Sequence, residues 1–389
     1  MNKRVLMVAS VPSMIGQFNM ENIRILLEMG YQVDVAADFS DVSVWPEERV
    51  KAFRDHLSQL GIESFQIDFS RHILKLRRHF ESYRQIRNLI EERKYCFIHT
   101  HTPVASTIVR QASHKLGINV IYTAHGFHFY KGSSIINWVL FYPIEKYFSK
   151  YTDVLITINK EDYKRAVDNF NARETVYIPG VGVKTEQFSN CVIDKTAKRK
   201  ELGVAINDFL LLSVGELSDR KNQVVVIEAF HILKKRDKLD NIVYLAVGKG
   251  DKEEELNKLI AKYDLQNHVK LLGFRTDIKE LCKTVDCFVH PSIREGLGIA
   301  PLEAMAAGLP LISANVNGIK DYTEDGISGC CINPTNAEQM ADAISLMHDD
   351  KHFREVCAKN NLATAKNFDI SATNAVMTSV YQKMENLTL

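Results

Sequence analysis

The chain has 389 residues, more than one ordinary hydrophobic core accommodates, so length alone implies two domains. Its composition, 46% hydrophobic and 25% charged with no low-complexity tract, excludes a disordered or fibrous protein. With 49 basic and 48 acidic side chains the net charge is +1, which excludes a nucleic-acid binder built on overall charge.

The opening MNKRVLMVAS has two basic residues before an apolar run, as a signal peptide would. The run ends at Ser10, and a turn and an amphipathic helical pattern follow, which fits a buried first strand better. No stretch of roughly 18 apolar residues occurs, so no membrane span is expected. Short apolar strand patterns then alternate with helical ones. In the first half strands are predicted at 4–9, 32–36, 64–67, 96–99, 119–123, 153–157 and 175–178. Helices are predicted at 19–29, 73–93, 106–116 and 161–169. A turn-rich, polar stretch at 178–204 breaks the pattern. It restarts with strands at 209–214, 242–247, 269–272, 287–290, 311–313 and 331–332, and ends in a helical segment at 370–384. Alternation of this kind implies an α/β protein with two doubly wound, Rossmann-like parallel sheets facing each other across a cleft. We divide the chain into 1–190, 191–368 and a last helix, 369–389, returning to the first domain. In such sheets ligands bind beyond the carboxyl ends of the strands.

Seven cysteines, an odd number with no CxxC spacing, point to reduced core thiols rather than disulfides or a metal site. No GxGxxG fingerprint is present, which argues against a dinucleotide dehydrogenase.

The densest chemical signal is SIREGLGIAPLEAMAAGLPLI at 292–312. Gly296 and Gly298 let a backbone approach a ligand, and the helix that follows offers free N–H groups and a positive dipole end to a phosphate. Glu303, expected in the first helical turn, can accept two hydrogen bonds from a ribose diol. Glu295 lies on the loop side, in reach of a sugar beyond the diphosphate. The plain alternative makes Glu303 a helix-terminal charge and Glu295 a solvated loop residue.

The stretch REGLGIAPLEAMAAGLPLI resembles the signature of glycosyltransferase family 4, with its paired glutamates, glycines and helix start. NVNGIKDYTEDGISG, VGKGDKEEELNKLI, VKLLGFRTDIKEL and DCFVHPS also match in order, and IHTHTP, IYTAHGF and PGVGV extend the match more thinly into the first half. The resemblance implies a GT-B fold and metal-free, cofactor-free transfer of a sugar from a nucleotide donor with retention. It assigns Glu295 to the donor sugar, Glu303 to the ribose, and the backbone around Gly298, Ile299 and Ala300 to the diphosphate. The base then lies near Gly273, Phe274 and Arg275. In SVGELSDRKNQ the family has a Gly-Arg pair followed by a lysine; here Gly215 is kept, Glu216 replaces the arginine and Lys221 fits the lysine. Lys221 is the expected partner of the leaving diphosphate, with Arg220 as a second cation. The alternative for Lys221 is a solvated lysine at a helix start. His125, in YTAHGF, is implied to sit beside the transferred sugar; without the resemblance it is equally a loop cap. Gly16, in the first strand-to-helix turn, stands where the family has a double glycine. His99 and His101 share a strand face like a metal pair, yet with no third ligand they read as cleft lining.

Residues 71–94 carry eight Lys/Arg and three Glu, a net of +5, with apolar residues at helical spacing. FHFYKGSSIINWVLFYPIEKYFSKY adds aromatic residues and lysines. Both suit an anionic membrane surface, and equally an amphipathic helix with a solvated basic face. TAHGFHFYKG resembles capsule and exopolysaccharide members of the family, which implies a UDP-sugar donor, a lipid-linked saccharide acceptor and a cytoplasmic, peripheral place at the inner face of the membrane. A nucleotide-sugar epimerase and a transferase with a soluble acceptor remain open.

Overall fold

The computed structural model describes residues 3–70 and 74–388. Its contacts divide the chain into two compact units. The first holds residues up to Val181 together with those from Ser371 onward, and the second spans Gly182–Ile370. The break precedes the one expected after Asn190, because the short helix Thr185–Ser189 packs on helices Ile299–Ala306 and Ile278–Thr284 of the second unit. Val183 also bridges to Asp369, so both ends of that unit meet.

Among the described residues the first unit carries seven parallel strands. They are β1 (Arg4–Val8), β2 (Gln32–Ala37), β3 (Glu63–Gln66), β4 (Phe97–His101), β5 (Asn119–Ala124), β6 (Val154–Thr157) and β7 (Glu174–Tyr177), in the order β3-β2-β1-β4-β5-β6-β7. The second carries β8 (Phe209–Val214), β9 (Ile242–Val247), β10 (Val269–Gly273), β11 (Cys287–His290), β12 (Leu311–Ala314) and β13 (Gly329–Ile332), in the order β10-β9-β8-β11-β12-β13. Each predicted strand is found. Their continuous apolar runs are the signature of strands covered on both faces: Val5 through Val8 and Leu210 through Leu212 are fully buried. In each sheet the chain leaves its first strand to one side and later returns on the other. Loops at the carboxyl ends therefore diverge between β1 and β4 and between β8 and β11, the switch points where such sheets bind ligands.

Several helices differ from expectation. Pro12–Phe18 is a helix rather than part of a turn, with proline in its first turn where a missing N–H costs nothing. Glu47–Gln59 and Ile135–Ser149 are helices that the sequence patterns did not single out. The C-terminal helix Ile370–Thr388 carries the fully buried Tyr381, which stacks on Phe97 of β4 at 6.0 Å between centroids.

The basic helix begins at Leu76; Arg71 and Ile73 lie outside the described residues. Its second half buries Ile86, Leu89 and Ile90, as a core helix does. Leu74, Leu76 and Phe80 stay exposed, as do Ile135, Ile136 and Val139 at the start of Ile135–Ser149. Helix Pro103–Leu116 packs on both of these helices. Among the described residues, no helix is long and apolar enough to cross a membrane.

Candidate active site

The loops after β8 and β11 meet at the switch point of the second unit. Lys221, at the end of the β8 loop, donates from Nζ to Glu295 Oε2 at 2.6 Å. Arg220 Nη1 approaches the two oxygens of Glu295 at 3.3 and 3.2 Å. The backbone ties the loops as well, Ile293 N–H donating to the Arg220 carbonyl at 2.9 Å. Asn222 secures the turn, its amide donating to the carbonyls of Pro291 and Pro334. Lys221 and Glu295 side chains are only 14% and 13% exposed. Burial pushes the Glu295 carboxyl up, but Lys221, His290 and Arg220 outweigh it and hold it at about 2. His290, which ends β11, is pushed down to about 3 by burial and by Lys221, so its ring is neutral. Glu216, in the place of the family's arginine, is exposed and 4.0 Å from Arg220.

Gly298 caps helix Ile299–Ala306 at φ 91°, a left-handed conformation, and no side chain caps that end. A Cβ there would lie 3.1 Å from Glu295 Cγ, 3.1 Å from His290 Nε2 and 3.2 Å from the Tyr322 hydroxyl, so a side chain would press on all three. The N–H groups of Ile299 and Ala300 open the helix without intrahelical acceptors, beside the cationic pair. Pro301 follows as the third helical residue. Glu303 therefore lies in the second turn rather than the first, because the helix already starts at Ile299. Its carboxyl has no cationic partner among the described residues, and burial raises it to about 7. Gly318 presses on the same turn: a Cβ would meet the Gly296 carbonyl at 1.9 Å. Its N–H donates to the Glu295 carbonyl at 3.3 Å.

The neighbouring loops pack along the same edge. A Cβ on Gly248 would strike the Gly215 carbonyl at 1.8 Å, and Gly248 N–H donates to the Gly273 carbonyl at 2.9 Å. Phe274, next to Gly273 at the end of the edge strand β10, is 62% exposed. Arg275 is taken up by Asp277, at 2.8 Å from Nε, and by Glu201, at 2.6 Å from Nη2. Its guanidinium thus braces the loop.

In the first unit His125 follows β5 and lines a narrow crevice with Asn19, Asn22, Thr123 and Asn374. His99 and His101 are fully buried rather than lining an open surface. His99 bonds Tyr381 and Thr123, and His101 bonds His125 and Met7, so all four ring nitrogens are engaged. Gly16 does not sit in the turn after β1. It lies inside helix Pro12–Phe18, where a Cβ would strike the Trp45 ring at 2.4 Å, so its small size serves packing.

Sequence reasoning missed His290, Asn222, Gly318 and Tyr322. Asn222 and Gly318 lie within SVGELSDRKNQ and NVNGIKDYTEDGISG, and a polar residue ending an apolar strand, as His290 does, marks a sheet edge.

Residues 16–187 match the model described as Glycosyltransferase Family 4, and residues 194–363 match Glycosyl transferases group 1. EpsD of Bacillus subtilis (strain 168), assigned as a glycosyltransferase, is 34% identical over 98% of this chain and 97% of its own. The chain belongs to glycosyltransferase family 4. A galactosyltransferase of Escherichia coli, which acts from UDP-Gal on alpha-D-GlcNAc-diphosphoundecaprenol, is 30% identical over 68% of this chain and 69% of its own. The family's GT-B fold, two Rossmann-like units, is shared with Anabaena HepE in its complex with UDP-glucose. The TM-score is 0.78, with 22% identity over 98% of this chain and 99% of that one.

The raised Glu303 carboxyl has a consequence for this family 4 chain. Its folded value near 7 exceeds the ordinary 4.5, so the native state holds the proton more tightly and loses stability as pH rises between those values. Glu303→Gln should therefore raise the Tm at pH 8 by about 2–4 °C per kcal/mol of burial penalty relieved. The difference should vanish as the pH falls well below 4.5, where Glu303 is neutral in the folded and the unfolded chain alike; thermal unfolding across pH checks this.

Proposed function

We propose that this glycosyltransferase moves a hexose or N-acetylhexosamine from a UDP-sugar to a polyprenyl-diphosphate-linked saccharide in surface polysaccharide synthesis, with retention and without a metal. The observation that carries the donor half is the arrangement at the second unit's switch point. A buried lysine–glutamate pair adjoins an uncapped helix N-terminus, and a second carboxylate stands without a cation.

Each group has a task. The Glu303 carboxylate accepts from the ribose diol. The N–H groups of Ile299 and Ala300, with Lys221 and Arg220, meet the diphosphate, and their charge matters most as negative charge develops on the leaving phosphate. Lys221 has three N–H donors and spends one on Glu295, so it can hold the diphosphate without releasing the carboxylate. Glu295, kept ionised by its cations, accepts from hydroxyls of the donor sugar. Phe274 offers a face to the base and Arg275 steadies that loop. The acceptor hydroxyl attacks the anomeric carbon on the face the diphosphate leaves, and the departing phosphate oxygen takes its proton. His125 contacts a sugar from the first unit. The E. coli relative's lipid-diphosphate acceptor and UDP donor support this choice of substrates, as does the UDP-glucose bound to HepE.

The test is a panel of UDP- and GDP-sugars titrated against the wild type, Glu303→Ala and Lys221→Ala. One UDP-sugar should bind, and Glu303→Ala should weaken it about 10–100-fold, the range for hydrogen bonds to a charged group. Lys221→Ala should lower kcat by about 100–1,000-fold. Wild-type affinity in both variants would reject the donor site.

The lipid-linked acceptor calls for a membrane nearby. Exposed Leu76, Phe80, Ile136 and Val139 beside Arg77, Arg78 and Lys131 favour peripheral contact with an anionic leaflet at the inner face of the cytoplasmic membrane. The full chain should float with vesicles containing anionic lipid at low salt, and a variant with Phe80, Ile136 and Val139 changed to serine should float several-fold less. Equal flotation of the two would remove this surface from the proposal.

A further inference from the structure

The buried histidines of the first unit form a chain whose proton positions follow from its far end. Met7 is fully buried on β1, and its thioether sulfur can accept a hydrogen bond but not donate one. His101 Nε2 lies 3.1 Å from Met7 Sδ, and only the Nε2–H tautomer turns that contact into a hydrogen bond. Burial, with His99 and His125 adding to it, holds His101 well below the usual imidazole range, so its ring is neutral and carries that one proton. Its Nδ1 is then a bare lone pair.

His125 Nε2 lies 3.2 Å from this Nδ1 and has to donate to it. Burial pushes His125 down to about 4, so this ring also carries a single proton, now placed on Nε2. Its Nδ1 is left unprotonated. Among the described residues no group bonds that nitrogen, and the half-buried His125 lines the narrow crevice beside Asn19 and Asn22. His99 stays out of the chain, held by Tyr381 and Thr123, though its ring lies 4.2 Å from that of His101.

We propose that Met7 and His101 are positioning residues that lock His125 as the Nε2–H tautomer, so that its bare Nδ1 accepts a hydrogen bond from a substrate hydroxyl. The site then selects for a group that donates. A sugar hydroxyl fits; an ether or carboxylate oxygen would set lone pair against lone pair. The substrate half rests on His125 touching a sugar, as read above. The tautomer half rests on the chain of contacts alone.

Met7→Leu separates this role from mere packing. The substitution keeps the volume and removes the acceptor, which would leave His101 Nε2–H buried without a partner. The cheaper arrangement moves the His101 proton to Nδ1, which then donates to His125 Nε2 and drives the His125 proton to Nδ1. The experiment is nitrogen-15 NMR of the full chain labelled at histidine, with His125→Asn and His101→Gln locating the two rings. In the wild type both rings should appear neutral with the proton on Nε2, and in Met7→Leu both should shift toward Nδ1–H. In parallel, kcat/KM of Met7→Leu should fall about fivefold, the worth of one neutral hydrogen bond. His101→Gln, whose amide can donate to Met7 and accept from His125, should retain more activity than His101→Leu.

A wild-type His125 protonated on Nδ1, or charged at neutral pH, overturns the proposal, and that spectrum decides even if Met7→Leu fails to fold. A tautomer shift in Met7→Leu with unchanged kcat/KM overturns the substrate half. Because the spectrum needs no substrate, it stands apart from the choice of UDP-sugar.

Discussion

The contact between Lys221 and Glu295 joins two loops that leave the second sheet in opposite directions, and the geometry around it depends on that junction. Parallel strands require crossovers, so neighbouring loops at a switch point carry no hydrogen-bonded partner strand to hold them together. A buried ion pair supplies the link. Taking both charges out of water is costly, and a second cation, Arg220, together with the backbone bond from Ile293 to Arg220 offsets part of that cost. What results is a cationic floor beside an open helix end.

The two glutamates of one short motif show how far environment separates identical groups. Both lose hydration, which alone would raise both. Glu295 also faces Lys221, His290 and Arg220 and ends near 2, whereas Glu303 has burial alone and ends near 7. Glu295 is therefore charged at every physiological pH, whereas Glu303 exchanges its proton near neutrality. An uncompensated buried carboxylate lowers stability once it ionises.

The first unit uses the same physics with a different outcome. Three histidines on and beside β4 and β5 are all driven neutral by burial, so they act through hydrogen-bond direction rather than charge. Met7 is a hydrophobic strand residue by any sequence measure, yet its sulfur lies against His101 Nε2, whose other ring nitrogen meets His125.

Much of this was legible in the sequence. Unbroken apolar runs are what parallel strands buried on both faces require, so all thirteen strands among the described residues could be read, and the glycine turn between two glutamates is written in local order. Helices half-exposed or lacking a clean apolar stripe, such as Ile135–Ser149, were not legible, since their burial depends on neighbours distant in sequence. Gly16 shows the same limit: its glycine is demanded by Trp45, which only packing brings to it. Amino-acid order by itself determined the strand–helix alternation, the family and the glycine turn between two glutamates, because these are written in residues close together in the chain. Tertiary structure alone decided that Lys221 meets Glu295 across 74 positions and that Arg275 is spent on Glu201. It also decided that His101 stands between Met7 and His125, because burial and hydrogen-bond partnership are properties of the assembled sheet.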